Sequence, residues 1–388
     1  MSRLAIVVSH PIQYYAPLFR ELAGRIELKV YFAQKVTAAQ QGAAGFGTAF
    51  DWDVDLLSGY DSEFLENVST RPGPSRFNGA DTPAIGRRLA GGGFDAVLVL
   101  GWYLRSFAQA ILAARRLGLP VMVRGDSQLG PPGPRALAKA IAYPGLLRVF
   151  DAALYVGARS RAFYERYHYP ADRLFHSPHC VDTEWFGARA TAESGQALRG
   201  RLGIGVEEKV VLFAGKLLPF KRPLDIIDAW PLTETRPRLL FAGSGELEGA
   251  LAARAGDLGA PLHQLGFLNQ TEMPAAYAAA DLLVLPSTAR ETWGLVANEA
   301  LACGVPVVVS DASGCAPDLA GDGAAGRVFP MGDVRALAAA IEAVLMSPPA
   351  CDVVAARSKT HSLAAAADGI ETGLAAVVAS RRSGRRNP

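Results

Sequence analysis

Short unbroken apolar runs alternate with helix-patterned segments along nearly the whole chain, and the alternation occurs twice. In the first half the runs are Leu4–Val8, Ile26–Phe32, Ala96–Leu100, Val121–Arg124 and Ala153–Val156. Each is rich in β-branched or large apolar residues and bounded by turn formers, so each reads as a strand buried on both faces. Helix patterns lie between them, as at Pro17–Gly24 and at Phe107–Leu117, the latter stopped by Gly118 and Pro120. Strands buried on both faces need helices on both sides, the condition of a parallel sheet in an α/β fold. The second half repeats the plan. Its strands are Val210–Ala214, Leu239–Ala242, Leu282–Pro286 and Val305–Ser310. Its helices are Leu224–Trp230, Glu246–Ala255, Met273–Ala280, Gly294–Ala302 and Val334–Leu345.

Between the halves, Ser177–Gln196 turns polar and loses periodicity, and it reads as a linker. The expected organisation is a first domain over 1–178, a second over 179–360, and a closing segment over 361–388. That segment is a helix packing back toward the first domain, then a tail with Arg381, Arg382, Arg385 and Arg386. With 388 residues, half of them hydrophobic, the chain can fill two cores. Two such domains form a cleft at the carboxyl ends of their strands.

Composition excludes several classes. Lys plus Arg number 39 against 37 Asp plus Glu, without the basic excess of a nucleic-acid binder. Cys180, Cys303, Cys315 and Cys351 are widely spaced, and reduced thiols are expected. Leu4–Val8 is too short for a signal peptide or a span. Ala140–Gly157 is broken by Pro144, Arg148 and Asp151, well short of the ~18 apolar residues a spanning helix needs. A soluble or peripheral cytoplasmic chain is expected, and the sequons at Asn67 and Asn269 read as chance matches. Gly243-Ser-Gly245 is followed by Glu248 where a dinucleotide fingerprint needs a third glycine. Asp51, Asp53 and Asp55 alternate with Trp52 and Val54, so they read as the solvated face of a short strand rather than as a metal pair. His176, His179 and Cys180 have no further ligand set nearby, so no metal is expected.

The informative region is Val210–Pro330. One strand empties at Gly215 into a turn carrying Lys216 and Lys221. Glycine admits close backbone approach and two cations neutralise a diphosphate, so the turn is a candidate anion site. Another strand leads to ETWGLVANEALACGVP, where Gly294 opens a helix whose free amides and dipole favour phosphate. Glu291 and Glu299 flank that helix start. Carboxylates beside a phosphate site suit hydrogen bonds from sugar or ribose hydroxyls.

GKLLPFKRP and ETWGLVANEALACGVPVVVSD resemble the donor-site signatures of the retaining GT-B glycosyltransferases of family 4, glycosyltransferase group 1. The glutamates stand at that family's E-x7-E spacing. PHCVDTEWF, FAGSGELEGAL and LGFLNQTEMPAAYAAADLLVLPS follow in the family's order, and SHPIQYYAPLFREL resembles the opening of one bacterial subgroup. The usual arginine after the glycine is Lys216, which keeps the charge but loses the bidentate fork. The resemblance implies two Rossmann-like doubly wound domains facing a cleft, and a metal-independent, retaining transfer from a nucleoside diphosphate sugar with no cofactor. By this likeness Glu299 takes the ribose and Phe267 and Leu268 contact the base. Thr292, Trp293, Gly294, Leu295 and Val296, with Gly215, Lys216 and Lys221, hold the diphosphate, and Glu291 orients the sugar.

The acceptor falls to strand-end loops of the first domain, with His10, Trp102, Tyr103, Arg124 and Asp126 as candidates. It is expected to be a glycan or lipid-linked sugar in bacterial cell-surface polysaccharide synthesis, at the inner face of the cytoplasmic membrane. Arg135–Phe150 and the basic tail are candidate contacts with anionic lipid. A sugar-nucleotide epimerase on the same fold, or a non-catalytic sugar-nucleotide or glycan-binding subunit, stands as the alternative.

Overall fold

A computed structural model describes residues 2–43, 45 and 47–384. The chain divides into two compact units. One gathers the chain up to Val36, Asp55–His179 and the chain from Leu363, and the other gathers Thr37–Val54 and Cys180–Ser362.

The first unit holds β1 (Arg3–Val8), β2 (Glu27–Phe32), β3 (Asp61–Phe64), β4 (Ala96–Val99), β5 (Val121–Gly125), β6 (Ala152–Tyr155) and β7 (Leu174–His176). They form one parallel sheet in the order β3-β2-β1-β4-β5-β6-β7. Ile6 sits opposite Val30 on one side and Leu98 on the other, and Leu4 to Val7 are wholly buried. The apolar run of β1 is thus the centre of the sheet, covered on both faces.

The second unit holds β8 (Val210–Ala214), β9 (Arg238–Ala242), β10 (Leu262–Gly266), β11 (Leu282–Leu285), β12 (Val307–Ser310) and β13 (Gly326–Phe329). They are parallel in the order β10-β9-β8-β11-β12-β13. Each sheet builds outward from its first strand and then reverses, so switch points lie between β1 and β4 and between β8 and β11. There the strand-end loops diverge and leave a crevice for a ligand.

β3, β7, β10 and β13 are absent from the sequence reading, and all four are sheet edges. An edge strand is paired on one side only and need not be a continuous apolar run. DSEF and LHQLG accordingly carry mixed residues. Two further expectations are corrected. Ser177–Gln196 is not aperiodic: Asp182 caps a helix at Thr183–Arg189 and Thr191 caps another at Ala192–Leu202. Asp51–Asp55 is not a strand: it bends, with the Asp53 carboxylate accepting from the Thr271 amide and hydroxyl and Asp55 accepting from Leu57 and Ser58. Thr37–Val54, read as part of the first domain, groups with the second unit.

The helix Leu363–Arg382 lies on the first sheet, burying Ala366, Ile370, Leu374 and Val377 along one face. A Cβ at Gly369 would stand 1.9 Å from the His176 carbonyl oxygen, so the helix is seated directly on β7. Arg25 pairs with its Asp368 and Glu371 at 2.6 and 2.9 Å. By length and composition the Cys351–Arg382 stretch is also apolar enough to cross a membrane, and it includes the face buried on the first sheet. Arg381 reaches the Asp95 carbonyl oxygen at 3.4 Å. Arg385 and Arg386 lie outside the described residues.

Candidate active site

At the carboxyl end of β8 the chain turns at Gly215, with φ +137°. The turn is packed against the end of β9, where a Cβ on Gly243 would stand 1.9 Å from the Gly215 carbonyl oxygen. Backbone bonds tie the two ends, Gly215 N–H to Ala242 O at 2.9 Å and Leu217 N–H to Ser244 O at 2.9 Å. Lys216 follows, and a single helical turn at Pro219–Lys221 delivers Lys221 to the same place.

The loop after β11 arrives from the other side of the switch point. Thr288 N–H donates to the Phe220 carbonyl at 2.8 Å, which ties this loop to the lysine turn. Glu291 forms a close ion pair with the Lys221 ammonium, and both side chains are only 13 % exposed. Ser287 Oγ donates to the same carboxylate oxygen at 3.3 Å. Lys216 lies within this field: burial lowers its pKa, Lys221 lowers it further, and Glu291 opposes both. Two cations and one anion meet on these converging loops.

Gly294, with φ +104°, opens the helix Leu295–Ala302. A Cβ there would stand 2.4 Å from Leu285 Cδ2, so only glycine fits between the loop and β11. The amides of Leu295 and Val296 precede the first intrahelical bond, from Ala297 to the Gly294 carbonyl at 2.9 Å. Thr292 is exposed, and Leu295 and Val296 are half-buried. Trp293 is buried, its indole N–H given to Asn298 Oδ1 at 2.8 Å and its ring 5.7 Å from His361. Its side chain holds the loop, and only its backbone lies with the helix start. One turn further on, Tyr277 O–H donates to Glu299 Oε2 at 2.6 Å. Burial pushes the Glu299 carboxyl up to about 7 against the Tyr277 bond that lowers it.

Phe267 and Leu268 follow β10 and are half-buried. The Phe267 ring packs on Phe50 with centroids 4.3 Å apart. Phe50 and Tyr277 were not among the sequence candidates. Tyr277 stands at no recognisable spacing from Glu299, and Phe50 comes from a remote stretch of chain.

In the first unit three of the five acceptor-side candidates gather near the ends of β1, β4 and β5. His10 Nδ1 is 2.9 Å from Ser9 Oγ, and burial pulls its pKa down to about 4, so the ring is neutral at pH 7. The Tyr103 pKa is raised by burial and by Asp126, against a hydrogen bond with Ser9. Tyr14 is half-buried beside them, its pKa raised by desolvation, Tyr15, Asp126 and Tyr103 against the Arg124 charge. The other two candidates are committed to contacts of their own. Trp102, half-buried, stacks on Phe150 at 5.6 Å and lies tilted on Phe163 at 5.9 Å, packed against the core. Arg124 is buried, donating from Nε to Ser177 Oγ at 2.9 Å and from Nη2 to the Pro178 carbonyl at 2.7 Å. His176 stacks on Tyr155 at 5.0 Å and His179 meets Tyr14 edge-on at 6.4 Å. Among the described residues no group of three or more His, Cys, Asp or Glu is arranged to hold a metal ion.

Residues 195–361 match the family model described as glycosyl transferases group 1. A GDP-mannose-dependent alpha-(1-6)-phosphatidylinositol monomannoside mannosyltransferase of Mycolicibacterium smegmatis is 32 % identical over 209 residues, 51 % of this chain and 54 % of that one. A D-inositol 3-phosphate glycosyltransferase of Mycobacterium marinum is 37 % identical over 160 residues, 39 % of this chain and 34 % of that one. The chain thus spans about half, or less, of the length of these curated relatives. Among solved structures, Anabaena HepE in complex with UDP and glucose superposes with a TM-score of 0.71 at 17 % identity, covering 97 % of this chain and 100 % of that one. The lipopolysaccharide outer core galactosyltransferase WaaB in its apo form gives 0.68 at 14 % identity, covering 96 % and 99 %. Likeness at that identity speaks for the fold, which is the two-unit, doubly wound GT-B architecture.

Proposed function

We propose, from the match of residues 195–361 to the glycosyl transferases group 1 model, that the protein is a retaining, metal-independent glycosyltransferase. It moves a sugar from a nucleoside diphosphate sugar to a glycan or lipid-linked acceptor in bacterial cell-surface polysaccharide synthesis. The observation that carries this reading is the Lys216, Lys221 and Glu291 cluster beside the open helix start at Gly294, at the β8/β11 switch point. The curated relatives, whose names include a GDP-mannose-dependent mannosyltransferase, and the UDP bound to the Anabaena structure support the donor class.

In this reading Lys216, Lys221 and the Leu295 and Val296 amides hold the diphosphate. Glu291 takes hydroxyls of the sugar, and Glu299, oriented by Tyr277, takes those of the ribose. The bond between the anomeric carbon and the β-phosphate oxygen breaks, and charge grows on the leaving diphosphate where cations and amides already stand. The acceptor oxygen bonds to the anomeric carbon on the same face, and its proton passes to the leaving phosphate oxygen. Fixed cations take the part a metal ion would play. The acceptor is held by the first unit near His10, Tyr103 and Asp126.

A cytoplasmic site at the inner membrane face completes the proposal. On the helix Pro134–Leu146, Leu137 and Ile141 are 66 % and 76 % exposed, one turn apart. No acidic residue occurs between Asp126 and Asp151, while Lys139 and Arg148 are exposed. This favours anionic lipid, and Ile141→Glu should reduce co-sedimentation with phosphatidylglycerol vesicles.

The test of the donor reading is a thermal-shift panel of UDP, GDP, ADP and dTDP, with and without EDTA, on wild type and Glu299→Ala. A ligand that binds only the folded state raises the melting temperature in proportion to RT ln(1 + [L]/Kd). One nucleotide should stabilise the wild type, regardless of EDTA, and less so the variant. Stabilisation by none would reject the donor site. Turnover of the sugar nucleotide without an acceptor would point to an epimerase instead.

A further inference from the structure

Thr37–Val54 comes from the first half of the sequence but is part of the second unit. Its attachments span the donor site from one side to the other. At one end a Cβ on Gly45 would stand 3.1 Å from Lys216 Cδ and 3.0 Å from Leu218 Cδ1, so the backbone lies against the lysine turn. At the other end Phe50, buried, packs on Phe267 at 4.3 Å between centroids, with Trp52 edge-on to Phe50 at 5.0 Å.

Side-chain hydrogen bonds lock that second end. Asn269 Nδ2 donates to the Asp51 carbonyl at 2.8 Å, and the Asp53 carboxylate accepts from the Thr271 amide at 3.2 Å and from its hydroxyl. These partners sit on the short loop after β10 that carries Phe267. β10, which precedes this loop, is the edge strand and pairs with β9 alone. Phe267 is therefore held in part from outside the sheet, by Phe50.

We infer that Phe50 is a positioning residue of the donor site. It holds Phe267 against the nucleoside base, so that base recognition depends on a segment remote in sequence from the rest of the donor unit. The inference rests on the proposed donor reading and adds a residue to it. An aromatic pair in a tilted geometry adds stabilisation beyond its buried area, and losing one ring removes that stabilisation from the other. The diphosphate end is held separately, by Lys216, Lys221 and the helix start.

The experiment is a double-mutant cycle by calorimetric titration. The variants are Phe50→Ala, Phe267→Ala, the pair, and the conservative Phe50→Tyr. The probes are UDP, GDP and inorganic pyrophosphate. Each single alanine variant should weaken the better-bound nucleotide by about five-fold, the scale of one aromatic pair. Pyrophosphate should be unaffected and Phe50→Tyr should bind as wild type. In the Phe267→Ala background Phe50→Ala should have no further effect, because it acts through that ring. Transfer assays should show KM for the donor raised and kcat held within about two-fold, the mark of lost ground-state binding. If Phe267→Ala weakens the nucleotide and Phe50→Ala does not, the positioning role is refuted while the donor site stands. If neither matters although the nucleotide binds, both Phe50 and the base contact are refuted. Equal loss of pyrophosphate and nucleotide would mean that the segment supports the fold and not the base. Phe50→Leu, which keeps the volume, separates that outcome from misfolding, and its melting temperature is read alongside.

Discussion

Replacing Glu291 by alanine tests the charge arrangement of the site more sharply than its removal from catalysis alone would suggest. Glu291 and Lys221 are in contact and only 13 % exposed, with Lys216 beside them. At a separation of about 3 Å and an effective dielectric constant near 20, their attraction is about 5.5 kcal/mol before desolvation is counted. Leaving one member of such a pair alone costs about 3–5 kcal/mol, and the lower figure applies at a site edge that water can reach. The free protein should therefore lose about 3 kcal/mol, a fall in melting temperature on the order of 5–10 °C for a unit of this size. A bound nucleoside diphosphate brings its own anion to Lys221, so it should recover about half of that loss. Linkage then requires the variant to bind the nucleotide more tightly, by about ten-fold or 1.4 kcal/mol. Transfer should fall by at least about 100-fold, because the sugar is no longer oriented. Thermal unfolding with and without the better-bound of UDP and GDP, together with initial rates, reads all three quantities. Weaker nucleotide binding in Glu291→Ala, with the same destabilisation in both states, would refute the reasoning.

Lys221→Ala should lower kcat/KM by about 2–4 kcal/mol of transition-state stabilisation, as removal of an oxyanion donor does; unchanged kinetics would sink the diphosphate assignment. Glu299 has its carboxyl raised from 4.5 to about 7, so folding favours its neutral form and its contribution to stability declines as pH rises from about 4.5 to 7. Donor affinity should run the other way, because only the ionised form accepts from both ribose hydroxyls. The Kd of UDP-glucose or GDP-mannose should rise about ten-fold from pH 8 to pH 6 in wild type, and stay flat in Glu299→Gln. Gly243→Ala places a Cβ 1.9 Å from the Gly215 carbonyl at φ +148°, and should cost about 2 kcal/mol or more in chemical denaturation and loosen nucleotide binding. An unaltered denaturation midpoint would show that the two turns are not packed as described.

The central strands of both sheets were legible in the sequence, because a strand covered on both faces has to be a continuous apolar run. The edges were not. DSEF and GRVF are half-solvated and four residues long, so tertiary pairing alone makes them strands. The loops that carry Lys216, Lys221, Glu291 and Gly294 were legible for a related reason. A glycine turn after a strand, and a glycine before a helix, mark backbone that must bend sharply, and the charged residues sit within a few positions of it. Lys221 and Glu291 are 70 residues apart, and the sequence alone does not say that they pair. That pairing follows from β8 and β11 lying side by side at the switch point. The same holds on the acceptor side. Trp102 and Tyr103 are adjacent in sequence, yet one packs against the aromatic core and the other keeps half of its surface exposed. Local propensity and periodicity thus determined the two α/β cores and the loops that could carry chemistry. Which charges meet, which rings are buried, and that Phe50 reaches Phe267 were decided by the sheet order and packing, since these are contacts between residues too distant along the chain for any local pattern to record.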